Sequence, residues 1–584
     1  MKKQHLFLLV ALMPFMMFSC KTPQEFMDSI KVTPNPMELH AKKVSVSIEG
    51  TFPEKYFKKK LILRVTPVLI SNSTGTRYEG TPKIFQGEKV DGNGAVVNYK
   101  AGGKIGMDVE FDYHPDMQSS SLYLEAEATL GKKQFVVEAT KVADGIIITP
   151  LMVSCAQGEL NTQINPDKFQ RVIEQKQEAE IKFLISQSNI RSSETKSEAM
   201  VALTKVIRDA QVKQTDKKGN LANDSSVSQQ IELKGLEISS YASPDGKEEM
   251  NEKLAKSRKQ ASEQYLKGQM KKIKSNIEIS SNFTAEDWDG FKTLMEQSNI
   301  QDKEVILSVL SRYTDPEERE AQIKMLSSAY KEIAETVLPE LRRSKMTLTS
   351  QIIGKSDSLI NALRQNNPEA LTLEELLYSA TLTNLTDEQK AIYNKAMQLY
   401  PEDTRAYNNM GVVYYTEGNY EEAGRMFQKV LSMDDKNPVY NYNNGVMALY
   451  NDDTEKAEMY LGNSGGVGAN LNIANGVLHI KKASYNDAVS DFGNTKSNNA
   501  ALARILNKDY SGARSILENI EKPNGDTYYL MAIVGARTNN SDMVMEYMAK
   551  AIQENNSYMM MAAKDQEFAA FAENAAFKAL LGNK

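Results

Sequence analysis

The feature that most constrains this chain is an internal repeat in its last third. Tyr407, Met410, Gly411, Tyr414, Ala423 and Phe427 set out a pattern of large, small and aromatic positions, and Gly445, Ala457 and Leu461 follow Gly411, Ala423 and Phe427 after 34 residues. Gly476, Ala488 and Phe492 keep the internal spacing after a step of 31, with weaker copies at Ala501, Ala513, Leu517 and at Ala532, Val544, Met548. An earlier half-unit is read at Tyr393, Ala396 and Pro401. A helical hairpin of this length cannot bury its apolar face alone, so the period predicts stacked helix pairs sharing one continuous core. Small residues are needed where the two helices of a pair cross closely, and large ones fill the spaces between pairs.

These positions resemble the tetratricopeptide repeat, and the all-α solenoid is expected over 366–584. The resemblance implies a protein-binding scaffold whose concave face receives an extended peptide or a partner helix. Asn408, Asn409, Asn441, Asn443, Asn444, Asn472 and Asn475 crowd the first helices of the pairs. An amide offers a donor and an acceptor together, so Asn408, Asn409, Asn441, Asn444 and Asn472 are the partner-binding candidates, with solvated polar positions as the alternative.

The N-terminal region has a different pattern. Val44, Val46 and Ile48 alternate, as do Leu61, Leu63 and Val65, and Leu122, Leu124, Ala126 and Ala128. Turn residues punctuate these runs at Pro34-Asn35-Pro36, Asn72 to Gly75, Asp91 to Gly94 and Ala101 to Gly103. Short alternating strands at this spacing predict a β-sandwich of immunoglobulin-like kind over 21–155. The stretch from Phe52 to Tyr56 before Lys58-Lys59-Lys60 reads either as a partner patch or as a solvated turn.

Between these regions strands and helices mix. Ile181, Phe183 and Ile185 predict a strand, Ser197 to Ala210 an amphipathic helix, Gln214 to Ser226 a loop, and Ile231 to Ile238 a second strand. That strand runs into Tyr241-Ala242-Ser243-Pro244-Asp245-Gly246, followed by a long helix to about Lys272. Asn251, Leu254 and Arg258 lie five, eight and twelve residues after Gly246. This spacing resembles the OmpA-like peptidoglycan-associating domain, expected here over 156–360 as an α/β fold with a helical insertion from about Glu286 to Val337. The resemblance implies that an aspartate and an arginine hold the charged ends of the diaminopimelate in the peptidoglycan stem. Arg258 stands in the arginine position with a forked donor suited to a carboxylate, while Ser243 replaces the aspartate. The peptidoglycan-binding candidates are therefore Ser243, Asp245, Asn251 and Arg258. A turn at Pro244-Asp245-Gly246, a surface salt bridge for Arg258 and a helix cap for Asn251 are the structural alternatives.

The chain opens Met1-Lys2-Lys3, continues apolar from Leu6 to Phe18 and reaches Ser19-Cys20. A charged, then apolar, then small-residue order is that of a secretory signal, and Cys20 resembles the lipidation site of a bacterial lipoprotein, giving a signal over 1–20 and a membrane anchor at Cys20. Lys21 favours the outer membrane by the same resemblance, and the periplasm is the expected facing. The three modules together resemble an outer-membrane lipoprotein of the Bacteroidota, a family that includes proteins of secretion, motility and fimbrial assembly. With Cys20 acylated, Cys155 is the sole thiol left, so no disulfide framework is expected. A net charge of -6 with the signs interspersed excludes a phosphate-binding face and hence nucleic acid. His40, His114 and His479 lie far apart, and no metal, nucleotide or serine-hydrolase motif is present. The expectation is a non-enzymatic protein without cofactors, whose functional alternatives are a protein-binding envelope scaffold and an outer-membrane-to-peptidoglycan tether; a glycan-acting enzyme is a remote third.

Overall fold

The computed structural model describes residues 29–211 and 230–582. The expected signal, Cys20 and the loop from Gln214 to Ser226 lie outside the described residues. The chain's described residues form two compact units, one within 29–165 and 401–582 and one within 166–400.

The first unit begins with two sheets. In one, Lys43–Phe52 pairs antiparallel with Lys31–Thr33, Met37–His40 and Gly103–Asp112, and Met37–His40 also pairs parallel with Ile146–Ile147. In the other, Leu61–Ser71 lies between Ser120–Leu130 and Lys83–Gly87, with Lys133–Asp144 along one edge and Ala95–Val97 along the other. Strand periodicity decides which side chains meet. Val44, Val46 and Ile48 stand opposite Phe111, Val109 and Met107, and all six are buried with Leu61, Leu63, Val65, Leu122 and Leu124 in one core shared by both sheets. Phe52, Tyr56 and Phe57 belong to that core too, so the aromatic stretch is not a partner patch. Packing against it fixes the turn that carries the lysines.

Five helical hairpins complete this unit: Thr404–Thr416 with Tyr420–Met433, Pro438–Tyr450 with Thr454–Gly462, Ala469–Lys481 with Tyr485–Phe492, Asn498–Leu506 with Tyr510–Glu518, and Gly525–Arg537 with Ser541–Glu554. Their starts are set by capping side chains. Asp403, Asn419, Asn437, Asp453, Ser497, Asp509, Asn524 and Asn540 each accept from a first-turn backbone N–H. The small-residue positions have the expected steric cause. A Cβ on Gly411 would stand 2.6 Å from the Phe427 ring, on Gly445 2.7 Å from Leu461, and on Gly476 2.6 Å from the Phe492 ring.

Sandwich and hairpins are joined by a charged contact. Arg537 reaches Glu38 of the sandwich at 3.1 Å and Glu567 at 2.6 Å, and Thr149 donates to Glu567 at 2.5 Å. Burial opposes the charge on Arg537, but hydrogen bonds and the field of Glu567 and Glu38 outweigh it and raise its pKa. A hydrogen bond from His40, together with Arg537, brings Glu38 down to about 2.

The second unit has a four-stranded sheet in the order Val172–Lys182, Arg343–Ile353, Gln230–Tyr241, Ile279–Thr284; its last pair is parallel and the others antiparallel. Helices Glu198–Asp209 and Glu248–Ile273 bury Met200, Leu203, Ile207, Leu266 and Met270 with Ile181, Leu236, Ile238, Met346 and Leu348 of the strands. The first strand ends before Phe183, earlier than expected, and Ile185 is exposed. Between Ile279–Thr284 and Arg343–Ile353 the insertion forms the helices Trp288–Gln297, Lys303–Arg312, Pro316–Met325, Ser327–Thr336 and Leu338–Leu341 around a small core of their own. Helices Asp357–Asn366, Leu373–Ser379 and Thr386–Leu399, expected largely with the repeats, fall in this unit, and residues 156–165, expected in the central domain, fall in the first.

Candidate functional site

The first helices of the hairpins are where the asparagines converge, and they hold a segment of the same chain. Residues 154–165 run along the first helices without ladder partners; 156–160 form a turn in which the Glu159 and Leu160 N–H groups donate to the Ala156 carbonyl at 3.1 and 3.0 Å, and the flanking backbone groups need hydrogen bonds from elsewhere. Three asparagines supply them in the same way. Asn499 donates to the carbonyl of Ser154 at 2.7 Å and accepts its N–H at 2.9 Å. Asn443 does the same with Gln163, at 2.8 Å both ways. Asn409 does so with Asn165, at 3.0 and 2.8 Å. Asn408 adds a donor to the Gln163 carbonyl at 3.0 Å, and its own carbonyl is held by Asn443.

Tyrosines take the carbonyls between these points. Tyr415 donates toward those of Cys155 and Leu160, and Tyr442 toward that of Asn161 at 2.7 Å. Burial raises the pKa of both phenols, well above neutrality, so they remain donors at physiological pH. Side chains of the segment are gripped as well: Asn165 donates to the Tyr440 hydroxyl at 2.7 Å and Gln163 to the Val467 carbonyl at 3.3 Å. Leu160 is fully buried in the hairpin core. Glu159 accepts from the backbone N–H groups of Asn498 and Asn499, both at 3.0 Å, at the start of helix Asn498–Leu506. A carboxylate there satisfies amides that a helix leaves unpaired and meets the positive end of its dipole.

The amide groups therefore clamp a peptide backbone, but the peptide is in cis. Asn408 and Asn409 bond this segment of the chain itself, whereas Asn441 and Asn444 do not. The Asn441 amide bonds the carbonyls of Asp435 and Asn437, and that of Asn444 bonds those of Phe427 and Tyr440, so both serve the hairpins' own packing. Asn472 is exposed. Sequence reasoning misses Asn499 and leaves Asn443 outside the candidates. A register signal identifies both: Asn409, Asn443 and Asn499 each stand two residues before the small residue of their repeat, Gly411, Gly445 or Ala501.

In the second unit, Ser243, Asp245, Asn251 and Arg258 come together at the end of strand Gln230–Tyr241 and the start of helix Glu248–Ile273, joined by Arg342. Ser243 donates to Asp245, and Arg342 bonds Ser243 at 3.2 Å and Asp245 at 3.0 Å. Asn251 bonds Glu286 at 3.0 Å and the Gly246 carbonyl at 3.3 Å. Arg258 is 1% exposed and donates to the carbonyls of Leu184, Gln187 and Tyr241. It does not form the surface salt bridge considered from sequence: Glu252 pairs with Lys256 and Glu263 with Lys267. Nor does its fork face outward. Burial first, then the neighbouring charge of Arg342, lowers its pKa to about 10. Arg342 is the group that meets Asp245, a role the Gly246 spacing could not reveal because it lies 97 residues further along.

The described residues contain no group of three or more His, Cys, Asp or Glu arranged to hold a metal, and no helix long and apolar enough to cross a membrane. His40 lies beside Tyr485, His114 stacks on Tyr78 and His479 bonds Asp491, three separate neighbourhoods.

Residues 404–437, the first hairpin, match the tetratricopeptide repeat family. No curated protein matches the chain. Among solved structures, the Cut9–Hcn1 hetero-tetramer of the APC/C is similar over 38% of this chain at 14% identity and a TM-score of 0.31; the match spans 44% of that chain, less than half its length. A tetratricopeptide repeat protein from Parabacteroides merdae is similar over 39% of this chain and 90% of its own, at 13% identity and a TM-score of 0.28. PilF of Pseudomonas aeruginosa is similar over 37% and 99%, at 18% identity and a TM-score of 0.28.

Proposed function

We propose that this chain is a non-catalytic scaffold of the bacterial outer membrane, anchored through a lipid on Cys20 and facing the periplasm, which gathers protein partners through its repeats. The observation that carries the reading is the asparagine and tyrosine ladder, a surface that takes hold of a backbone through groups every peptide possesses. The signal-like start of the sequence supports the envelope as its setting. The test is fractionation of cells producing the full chain or Cys20→Ala, with a photo-crosslinking residue at exposed Met459. Expected are membrane retention that Cys20→Ala abolishes and a discrete crosslinked partner in the membrane fraction. Unchanged fractionation of Cys20→Ala together with no adduct overturns the reading.

A second reading, a tether to peptidoglycan through an OmpA-like central domain, is favoured by the gathering of Ser243, Asp245, Asn251 and Arg258 at one place. Against it stands the closed state of the cluster, since Arg342 already occupies Asp245 and Arg258 is spent on backbone carbonyls. Retention of the full chain on purified peptidoglycan, lost in Arg342→Gln and strengthened in Ser243→Asp, would favour the tether; absence of retention in all three removes it.

A further inference from the structure

The occupant of the groove states what the groove selects. Three of its contacts read backbone alone, at Ser154, Gln163 and Asn165, and hold the two ends of the segment without choosing a sequence. Selection comes from side chains, with Asn165 on the Tyr440 hydroxyl at one end and the adjacent Glu159 and Leu160 in the turn. The carboxylate of Glu159 sits on the amides of Asn498 and Asn499, and Leu160 is wholly enclosed beside Tyr415 and Tyr442. Between Gln163 and Ser154 the backbone anchors pass from the second hairpin to the fourth. The third hairpin has Ala474 at the clamp position, so the middle of the segment is held by the tyrosines and the Glu159-Leu160 pair instead.

The segment is also only partly committed to its site. Residues 156–158 and Ile164 are exposed, and the polar groups that hold it belong to rigid helices whose own backbone bonds do not depend on it. An opening of residues 154–165 therefore leaves a preformed row of amides and hydroxyls, short of hydrogen-bond partners, beside an emptied leucine slot. Such local opening costs less than global unfolding where few side chains are enclosed.

Building on the scaffold reading, we propose that residues 154–165 are a resident ligand of the groove, exchangeable for a partner segment that turns at a carboxylate residue directly before a leucine. A tethered competitor acts at a high effective concentration, so the resident segment sets the threshold a partner must exceed and keeps the groove closed to arbitrary peptides.

The test uses the full chain and a fluorescent peptide copying residues 152–167 with serine in place of Cys155. In Leu160→Ala, which loosens the resident segment, the peptide is expected to bind at least tenfold more tightly than in the wild type, and a peptide with alanine in place of both Glu159 and Leu160 is expected not to bind. Adding Asn409→Ala and Asn443→Ala to the chain should weaken capture again. A second measurement needs no variant: in native-state hydrogen exchange, the amides of Gln163 and Asn165 should open well before those of helix Pro438–Tyr450. Equal protection of segment and helix, or no capture by Leu160→Ala, overturns the proposal. In that event a crosslinked partner at Met459 would still stand for a scaffold acting through another surface, whereas its absence together with unchanged fractionation of Cys20→Ala would remove both.

Discussion

Arg258 illustrates how a residue can occupy a binding position in sequence and a framework position in space. Three carbonyls depend on its guanidinium at a site closed to water. A buried carbonyl left without a donor costs about 1–3 kcal/mol, so Arg258→Ala should lose roughly 3–5 kcal/mol of stability in denaturant unfolding, and Arg258→Lys should recover only part because an ammonium cannot span the same three acceptors. A loss below about 1 kcal/mol would mean that water replaces the guanidinium. The sequence placed Ser243, Asp245, Asn251 and Arg258 in one neighbourhood because a strand, a turn and a helix connect them locally. It could not show that Arg342 closes the cluster, since that contact is made by tertiary folding.

For the helical hairpins, the decisive balance is between propensity and space. Alanine in place of a mid-helix glycine gains up to about 1 kcal/mol from propensity, while forcing a carbon into a packed contact costs typically about 1–3 kcal/mol. With 2.6 Å between a Cβ at Gly476 and the Phe492 ring, the second effect wins. Gly476→Ala is expected to lower the urea midpoint, and Gly476→Ala with Phe492→Leu to recover part of the loss. Single and double variants with equal midpoints would show that the ring is not the obstacle. The elements themselves were largely legible, because alternation at Val44, Val46 and Ile48 and the twelve-and-four spacing of the repeats are both consequences of packing periodicity. The strand Val172–Lys182 was misplaced toward Ile185 because its first half is exposed on both faces and carries no alternation. Residues 154–165 have no period at all, and a segment whose backbone is bonded by asparagines 244 to 345 residues away leaves no local trace.

At the scale of the whole molecule, acid should loosen the joint between sandwich and hairpins. The Glu38 carboxyl is held at about 2 against an ordinary 4.5. A depressed folded-state value means that its stabilisation is complete above pH 4.5 and is lost as the pH falls toward and through 2. With the side chain 22% exposed, screening leaves about 1–3 kcal/mol of effect. Glu38→Gln should therefore destabilise the protein at pH 7 and flatten the acid limb of its stability profile below pH 4.5. A variant profile parallel to the wild type throughout would place the acid sensitivity elsewhere.

The division of the chain has a bearing on its birth at the ribosome. Residues 166–400 are contiguous, so that unit is complete in the chain before the first hairpin begins. Its partner unit is split, and Ser154, Gln163 and Asn165 emerge hundreds of residues ahead of the asparagines that will hold them. Domains generally fold as units during synthesis. Nascent chains arrested after residue 400 should thus carry a protease-resistant centre flanked by a cleavable segment at 154–165, and resistance of that segment should arrive only once the fourth hairpin has left the exit tunnel. A tie made last is one that a waiting chaperone or export factor meets undone.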